Sequence, residues 1–232
     1  MSSPLHIALV GNPNSGKSSI FNSLTGLNQK IGNFTGVTVD KKTGISNITE
    51  TLKAYIIDLP GAYSLYPKRH DEWVSYKVLI NEDKDVTPDI FLLVADASNL
   101  KRNLLFCSQL IDLKKPVVVA LTMMDLAKKN NIQTDMATLE RELCVPVVPV
   151  NPRKNKGIKE LKEVEGEKEV DGGKWSDGNS GMHSLALRAS IGRGAAEIVY
   201  SRLNGSKKLK KLRSAIEVVD RGADGTSVGS SV

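Results

Sequence analysis

Between positions 11 and 18 the chain reads Gly-Asn-Pro-Asn-Ser-Gly-Lys-Ser, an ammonium and a hydroxyl at the end of a turn containing two glycines. In such a turn the backbone N–H groups, with those of a helix start behind it, converge on one point and hold a polyphosphate by fixed positive potential. An apolar run, 5–10, comes immediately before, and the helix-like Ser19-Ile-Phe-Asn-Ser-Leu24 immediately after. Strand, loop and helix therefore fall in the order that phosphate binding needs. An ordinary strand-to-helix turn can share the spelling, but not all of that context. Gly11, Asn12, Pro13, Asn14, Ser15, Gly16, Lys17, Ser18 and Ser19 are expected to bind a nucleoside triphosphate. Lys17 is assigned to the β and γ phosphates and the Ser18 hydroxyl to Mg²⁺.

A phosphate loop alone leaves ATPases, kinases and GTPases open, so the later positions decide. Asp58-Leu-Pro-Gly61 ends an apolar run on an acid and places a glycine three residues on. Asp58 is expected to hold Mg²⁺ through a water, and the Gly61 N–H to bond the γ phosphate, a contact that hydrolysis removes. Between these elements Gly36-Val-Thr38-Val lies in a loop of suitable length for the Thr38 hydroxyl to complete the Mg²⁺ shell. Taken singly, the first segment fits a Pro-Gly turn and Thr38 fits a strand. In this order, after a phosphate loop, they read as the two switches of a GTPase.

Base recognition falls to Thr122-Met123-Met-Asp125, where the apolar run 117–121 ends. The Asp125 carboxylate can accept hydrogen bonds from guanine N1–H and the N2 amino group, which adenine cannot supply. Thr122 or Asp125 would equally serve as a helix cap. Asparagine is usual where Thr122 stands, and loss of its amide donor lowers affinity by about 1–3 kcal/mol unless the hydroxyl substitutes. The last base contact aligns with Asn151-Pro152-Arg153. Pro152 has no N–H, so the guanine carbonyl oxygen is met by Arg153, from elsewhere, or not at all.

These groups need a scaffold to bring them together. Short runs rich in Val, Ile and Leu recur at 5–10, 52–57, 90–95, 117–121 and 145–150, separated by segments of helical period. That alternation predicts an α/β fold of the P-loop GTPase type, a mainly parallel central sheet flanked by helices. Met136, Leu139 and Leu143 mark one helical stripe; Leu104, Cys107, Leu110 and Ile111 mark another. The 232 residues accommodate one domain of about 160 residues and an appendage. Composition turns polar and glycine-rich after 163. The expected division is a GTP-binding G domain over 1–164 and a weakly ordered or partly helical tail, rich in Gly, Ser and Lys, over 165–232.

Bulk properties exclude several classes. No apolar run approaches the roughly 18–20 residues that span a bilayer, and no signal-peptide pattern opens the chain, so it is expected to be cytoplasmic. A net charge of +6 would suit nucleic acid or an anionic membrane, but the only concentrated basic run is Lys207-Lys-Leu-Lys-Lys-Leu-Arg213, read as a solvated helix face. Cys107 and Cys144 lack metal-ligand spacing, and His6, His70 and His183 stand apart, so none is read as a metal ligand. Tyr66 and Trp73 are read as packing of the second switch and its helix.

Over residues 4–163 the chain resembles the cytoplasmic G domain of the bacterial ferrous iron transport protein B family, FeoB. The resemblance rests on the phosphate loop, Leu24-Thr-Gly26, Gly32-Asn-Phe-Thr-Gly-Val-Thr-Val39, Asp58-Leu-Pro-Gly-Ala-Tyr-Ser-Leu65 and Asp96-Ala-Ser-Asn-Leu-Lys-Arg-Asn-Leu104. It implies a slow, Mg²⁺-dependent GTPase that binds GTP and GDP and regulates ferrous iron transport across the bacterial inner membrane. A membrane-embedded core is expected in the full-length protein and is absent from this chain, which reads as a truncated or altered form. A homo-oligomer is compatible with the family; no nucleic acid is expected. The family also uses K⁺, which here implies Asn14 as a ligand with carbonyls from Gly32 and Phe34. Asn14 has its own physical rationale, because Ala62 follows Gly61 where a glutamine would orient the attacking water, and a monovalent cation beside the phosphates supplies charge in its place. The plainer role for Asn14 is to tighten the loop. Asn14, Lys17 and Gly61 are thus the expected catalytic contacts. Two other readings remain: an Era- or TrmE-type GTPase acting on RNA, and a nucleotide-binding module with an impaired base pocket.

Overall fold

The computed structural model describes residues 4–27, 29–33, 40–50, 52–83 and 87–170. Strand β1 (Leu5–Gly11) passes through the phosphate loop into α1 (Lys17–Thr25), followed by β2 (Gln29–Asn33), β3 (Asp40–Asn47) and β4 (Lys53–Asp58). Then come α2 (His70–Leu79), β5 (Ile90–Asp96), α3 (Leu100–Asp112), β6 (Val117–Thr122), α4 (Met124–Lys129), α5 (Met136–Leu143), β7 (Val147–Pro149) and α6 (Ile158–Val170). The strands form one sheet in the order β2-β3-β4-β1-β5-β6-β7. From β4 to β7 every neighbouring pair is parallel, while β3 runs antiparallel to both β2 and β4. The carboxyl ends of β1, β4, β5 and β6 therefore share one edge, where the connecting loops converge.

Strands β5 and β6 are buried almost throughout and apolar up to their last residue, because helices cover both their faces. One core packs Ala8, Val10, Phe91 and Leu93 under α2 to α5; the other packs Ile7, Leu9, Ile56 and Leu92 against Ile20 and Phe21 of α1 and Leu161 of α6. The stripes expected in α3 and α5 face the first core. Cys107 belongs to it, and burial pushes its thiol up to about 12, which keeps it an unreactive packing residue. The antiparallel edge was not expected from the sequence. In β3 the buried residues are Gly44 and Ser46, while Ile45 is 42% exposed, so burial runs against the hydrophobic alternation that identifies a strand.

Helix α6 continues unbroken through Val170, past the expected division at 165. Ile158, Leu161 and Glu165 follow one another at three and four residues and lie on one face, all buried. Glu165 has no exposure, and neither carboxyl oxygen has a partner. Burial pushes its carboxyl up to about 8, against the opposing pull of Lys162. The tail from 171 onward, with His183 and the basic run 207–213, lies outside the described residues, as do Phe34 and Thr38.

Glu165 makes stability depend on pH. Its native-state proton affinity exceeds that of the unfolded chain, so its effect is harmless below the ordinary carboxyl range and stability falls as pH climbs from there towards about 8. Thermal melts between about pH 5 and pH 9 should show this fall, and Glu165→Gln should remove at least roughly half of it.

Candidate functional site

The phosphate loop is built as an open cradle. Ser15 donates its N–H to the Asn12 carbonyl at 3.2 Å, and the first helical bond of α1 runs from Ile20 to Gly16 at 3.1 Å. The amides of Lys17, Ser18 and Ser19 thus have no partner within the helix and point out of its start. Asn14 sits at φ 65° in the left-handed region, with its side chain exposed. The Asn12 Oδ1 and Ser15 Oγ atoms are buried and without partners. Orphaned polar atoms of this kind mark a site that a polar ligand completes.

Across the cradle, the Lys17 ammonium is ion-paired with the Asp58 carboxylate at the end of β4. Both side chains are largely shielded, at 13% and 9% exposure. The group assigned to phosphate and the group assigned to Mg²⁺ therefore neutralise each other, and a Mg²⁺–triphosphate would give each a new partner of opposite charge to itself. Asp58 and the Ser18 hydroxyl form an all-oxygen donor set suited to a hard cation. Among the described residues no three His, Cys, Asp or Glu side chains converge.

Gly61 lies against the phosphate loop: a Cβ on it would meet Pro13 at 3.2 Å. The chain on either side is pinned by Leu59 N–H to the Leu9 carbonyl and Ala62 N–H to the Gly11 carbonyl, both at 3.1 Å. Farther on, α3 holds the same segment. Leu65 N–H donates to Gln109 Oε1 at 2.7 Å, and the Arg102 guanidinium stands 3.7 Å from the Tyr63 ring. Neither Arg102 nor Gln109 was singled out as functional in the sequence, although Arg102 lies within the Asp96 to Leu104 motif. Tyr66 does not pack as expected, being 72% exposed; Trp73, 48% exposed, packs only partly, edge-on against Tyr76 with ring centroids 5.5 Å apart. Helix α2 buries Val74, Ser75, Val78 and Leu79, and Trp73 lies off that stripe. Gly32 falls on the exposed edge strand β2, opposite Lys41, rather than in a loop.

On the base side, Met123 occupies the left-handed turn that starts α4, with no side-chain cap. Asp125 lies in the first turn, exposed. Thr122 and Asp125 therefore do not act as the helix caps they also resembled. The Thr122 hydroxyl turns inward, to Ser15 O at 2.7 Å and Ala95 O at 3.1 Å. Asn151 spends its side chain on a short 3₁₀ turn, accepting from Lys154 N–H at 3.2 Å, and pairs in a bridge with Lys156. Pro152 opens that turn and Arg153 is exposed. The loop closes at Gly157, whose φ is +78° and where an added Cβ would stand 2.1 Å from the Pro149 carbonyl oxygen.

A parallel sheet whose carboxyl edge carries an amide cradle, an acid at the end of β4 and an acid just past β6 defines the P-loop GTPase fold. The family model described as ferrous iron transport protein B matches residues 5–164. The chain belongs to that family, as an N-terminal FeoB G domain. The Fe(2+) transporter FeoB of Leptospira biflexa is 45% identical over 159 residues, covering 68% of this chain and 22% of the relative. This chain thus spans about a fifth of the length of the curated relatives it matches. The crystallised G domain of the T. maritima FeoB iron transporter superposes with a TM-score of 0.65 at 37% identity, covering 71% of this chain and 98% of that one. A mutant of S. thermophilus NFeoB crystallised with GDP does so at 0.63 and 30% identity, covering 94% and 90%.

Gly157→Ala should destabilise the domain by about 2 kcal/mol or more in denaturant titration, because both the left-handed backbone and the carbonyl contact oppose a methyl group. A variant unfolding at the wild-type midpoint would refute this reading of the loop.

Proposed function

We propose that this chain binds GTP and GDP with Mg²⁺, hydrolyses GTP slowly, and regulates ferrous iron transport across the bacterial inner membrane. The observation that carries the reading is the shielded Lys17–Asp58 pair beside open amides on the sheet's carboxyl edge. The GDP bound by the S. thermophilus relative supports it. Lys17 and the amides of residues 16–19 neutralise the β and γ phosphates; Ser18 and Thr38, with Asp58 through a water, would hold Mg²⁺, which would supply positive charge to those phosphates. Gly61 donates its N–H to the γ phosphate from beside Pro13. Asp125 reads the guanine edge, with Met123, Thr122, Asn151 and Arg153 forming the surrounding pocket. Asn14, already left-handed and exposed, would hold K⁺ with carbonyls of Gly32 and Phe34, supplying positive charge where Ala62 offers no side-chain donor.

The iron-conducting part of such a protein is a membrane core. Among the described residues no helix is long and apolar enough to cross a membrane. We assign this chain the cytoplasmic, regulatory share of the task, with the core as its partner and no nucleic acid involved.

Purified protein should turn GTP over roughly tenfold faster in K⁺ than in Na⁺, a small part of what an arginine finger supplies. Asn14→Ala should abolish that difference; equal rates in both salts would rule out the cation mechanism. Lys17→Ala and Asp58→Ala should each lower turnover by roughly a hundredfold. Wild-type rates in either would refute the site.

A further inference from the structure

Thr122 ends β6 with its side chain aimed at the phosphate loop. It is 2% exposed, lies opposite Asp96 in the ladder, and its Cβ and methyl group stand 3.8–3.9 Å from where a side chain on Gly16 would begin. Its hydroxyl has two acceptors, the Ser15 carbonyl at 2.7 Å and the Ala95 carbonyl at 3.1 Å. Ser15 belongs to the phosphate loop, Ala95 to β5, and Thr122 itself to the strand that delivers Met123 and Asp125. One hydroxyl therefore ties together three elements at the edge where the nucleotide site lies.

A threonine hydroxyl has a single hydrogen to donate, whereas an asparagine amide has two. With asparagine, one hydrogen can bond a loop carbonyl while the other bonds a ring nitrogen of the base. Here the only hydrogen is directed between two protein carbonyls, and the residue is closed to solvent. We propose that Thr122 is a positioning residue that locks the phosphate loop to the base-reading turn. In consequence the purine is read along its N1 and N2 edge by Asp125, and its N7 is left unread by position 122. This rests on the guanine-nucleotide reading above and adds to it a division of labour between phosphate and base recognition.

Calorimetric titration of the whole chain with GDP and 7-deaza-GDP, which carries C–H in place of N7, tests the proposal. The two should bind wild-type protein within about twofold, while T122N, which regains a second donor, should prefer GDP by about fivefold or more. T122V keeps the shape but leaves two carbonyls without their donor, so GDP affinity should fall about tenfold, and T122S should recover most of the loss. A wild-type preference for GDP over the deaza analogue beyond about fivefold would overturn the unread N7. Unchanged GDP affinity in T122V would overturn the positioning role. Wild-type protein that binds no guanine nucleotide would instead overturn the functional reading, and is recognised because every ligand then fails before any substitution is made.

Discussion

Backbone amides that all point to one place repel one another's hydrogens and favour an anion between them. The structure of this domain follows from holding that arrangement open. Apart from the Ser15 N–H bond to the Asn12 carbonyl, a loop of this kind cannot be stiffened by its own hydrogen bonds, because its donors must remain available. Stiffness comes from outside instead. Ala62 N–H reaches back to the Gly11 carbonyl, Thr122 bonds the Ser15 carbonyl, and Gly61 packs on Pro13. Every one of these restraints uses a carbonyl or an apolar surface of the loop. None consumes an amide of residues 17–19.

The same logic accounts for the ion pair. An ammonium shielded beside a cluster of amides is a concentration of positive charge, and a lone carboxylate at the same depth would be costly in its own right. Pairing Lys17 with Asp58 satisfies both and keeps both side chains extended towards the site. On the proposed reading, their separation is conditional on two opposite charges arriving together, a phosphate and a divalent cation. Neither ion alone can release the pair without leaving one partner exposed to the field of the loop.

What could be read in advance depended on how much of each signal was local. The phosphate loop, Asp58 to Gly61 and Asp125 were visible because their chemistry depends on residue type and spacing within a few positions. The five apolar runs were visible because strands buried on both faces need no alternation. Strand β3 was not, since Gly44 and Ser46 hold buried positions and Ile45 an exposed one. Thr122 was placed at the base pocket, but the direction of its hydroxyl depends on Ser15, 107 residues away. Glu165 is likewise silent in sequence: a glutamate in a charge-rich segment normally reads as solvated, and only tertiary packing puts it on the stripe with Leu161.

The segment after Gly61 shows where such long-range contacts matter for mechanism. It is held to α3 by Leu65 with Gln109 and Tyr63 with Arg102. A neutral hydrogen bond contributes about 0.5–1.5 kcal/mol and a cation–π contact at an exposed site about 0.5–1. A backbone N–H bonded to a charged phosphate contributes about 1.5–3 kcal/mol. The two sums are of one size, so drawing Gly61 towards a γ phosphate can offset release of the α3 contacts without overwhelming them. That balance is the condition for a switch: a much stronger tether would hold one arrangement whatever nucleotide was bound, and no tether would leave nothing to report. On the proposed reading, α3 would couple the phosphate site to the surface, since exposed Tyr66, one residue beyond Leu65, is carried on the segment it restrains.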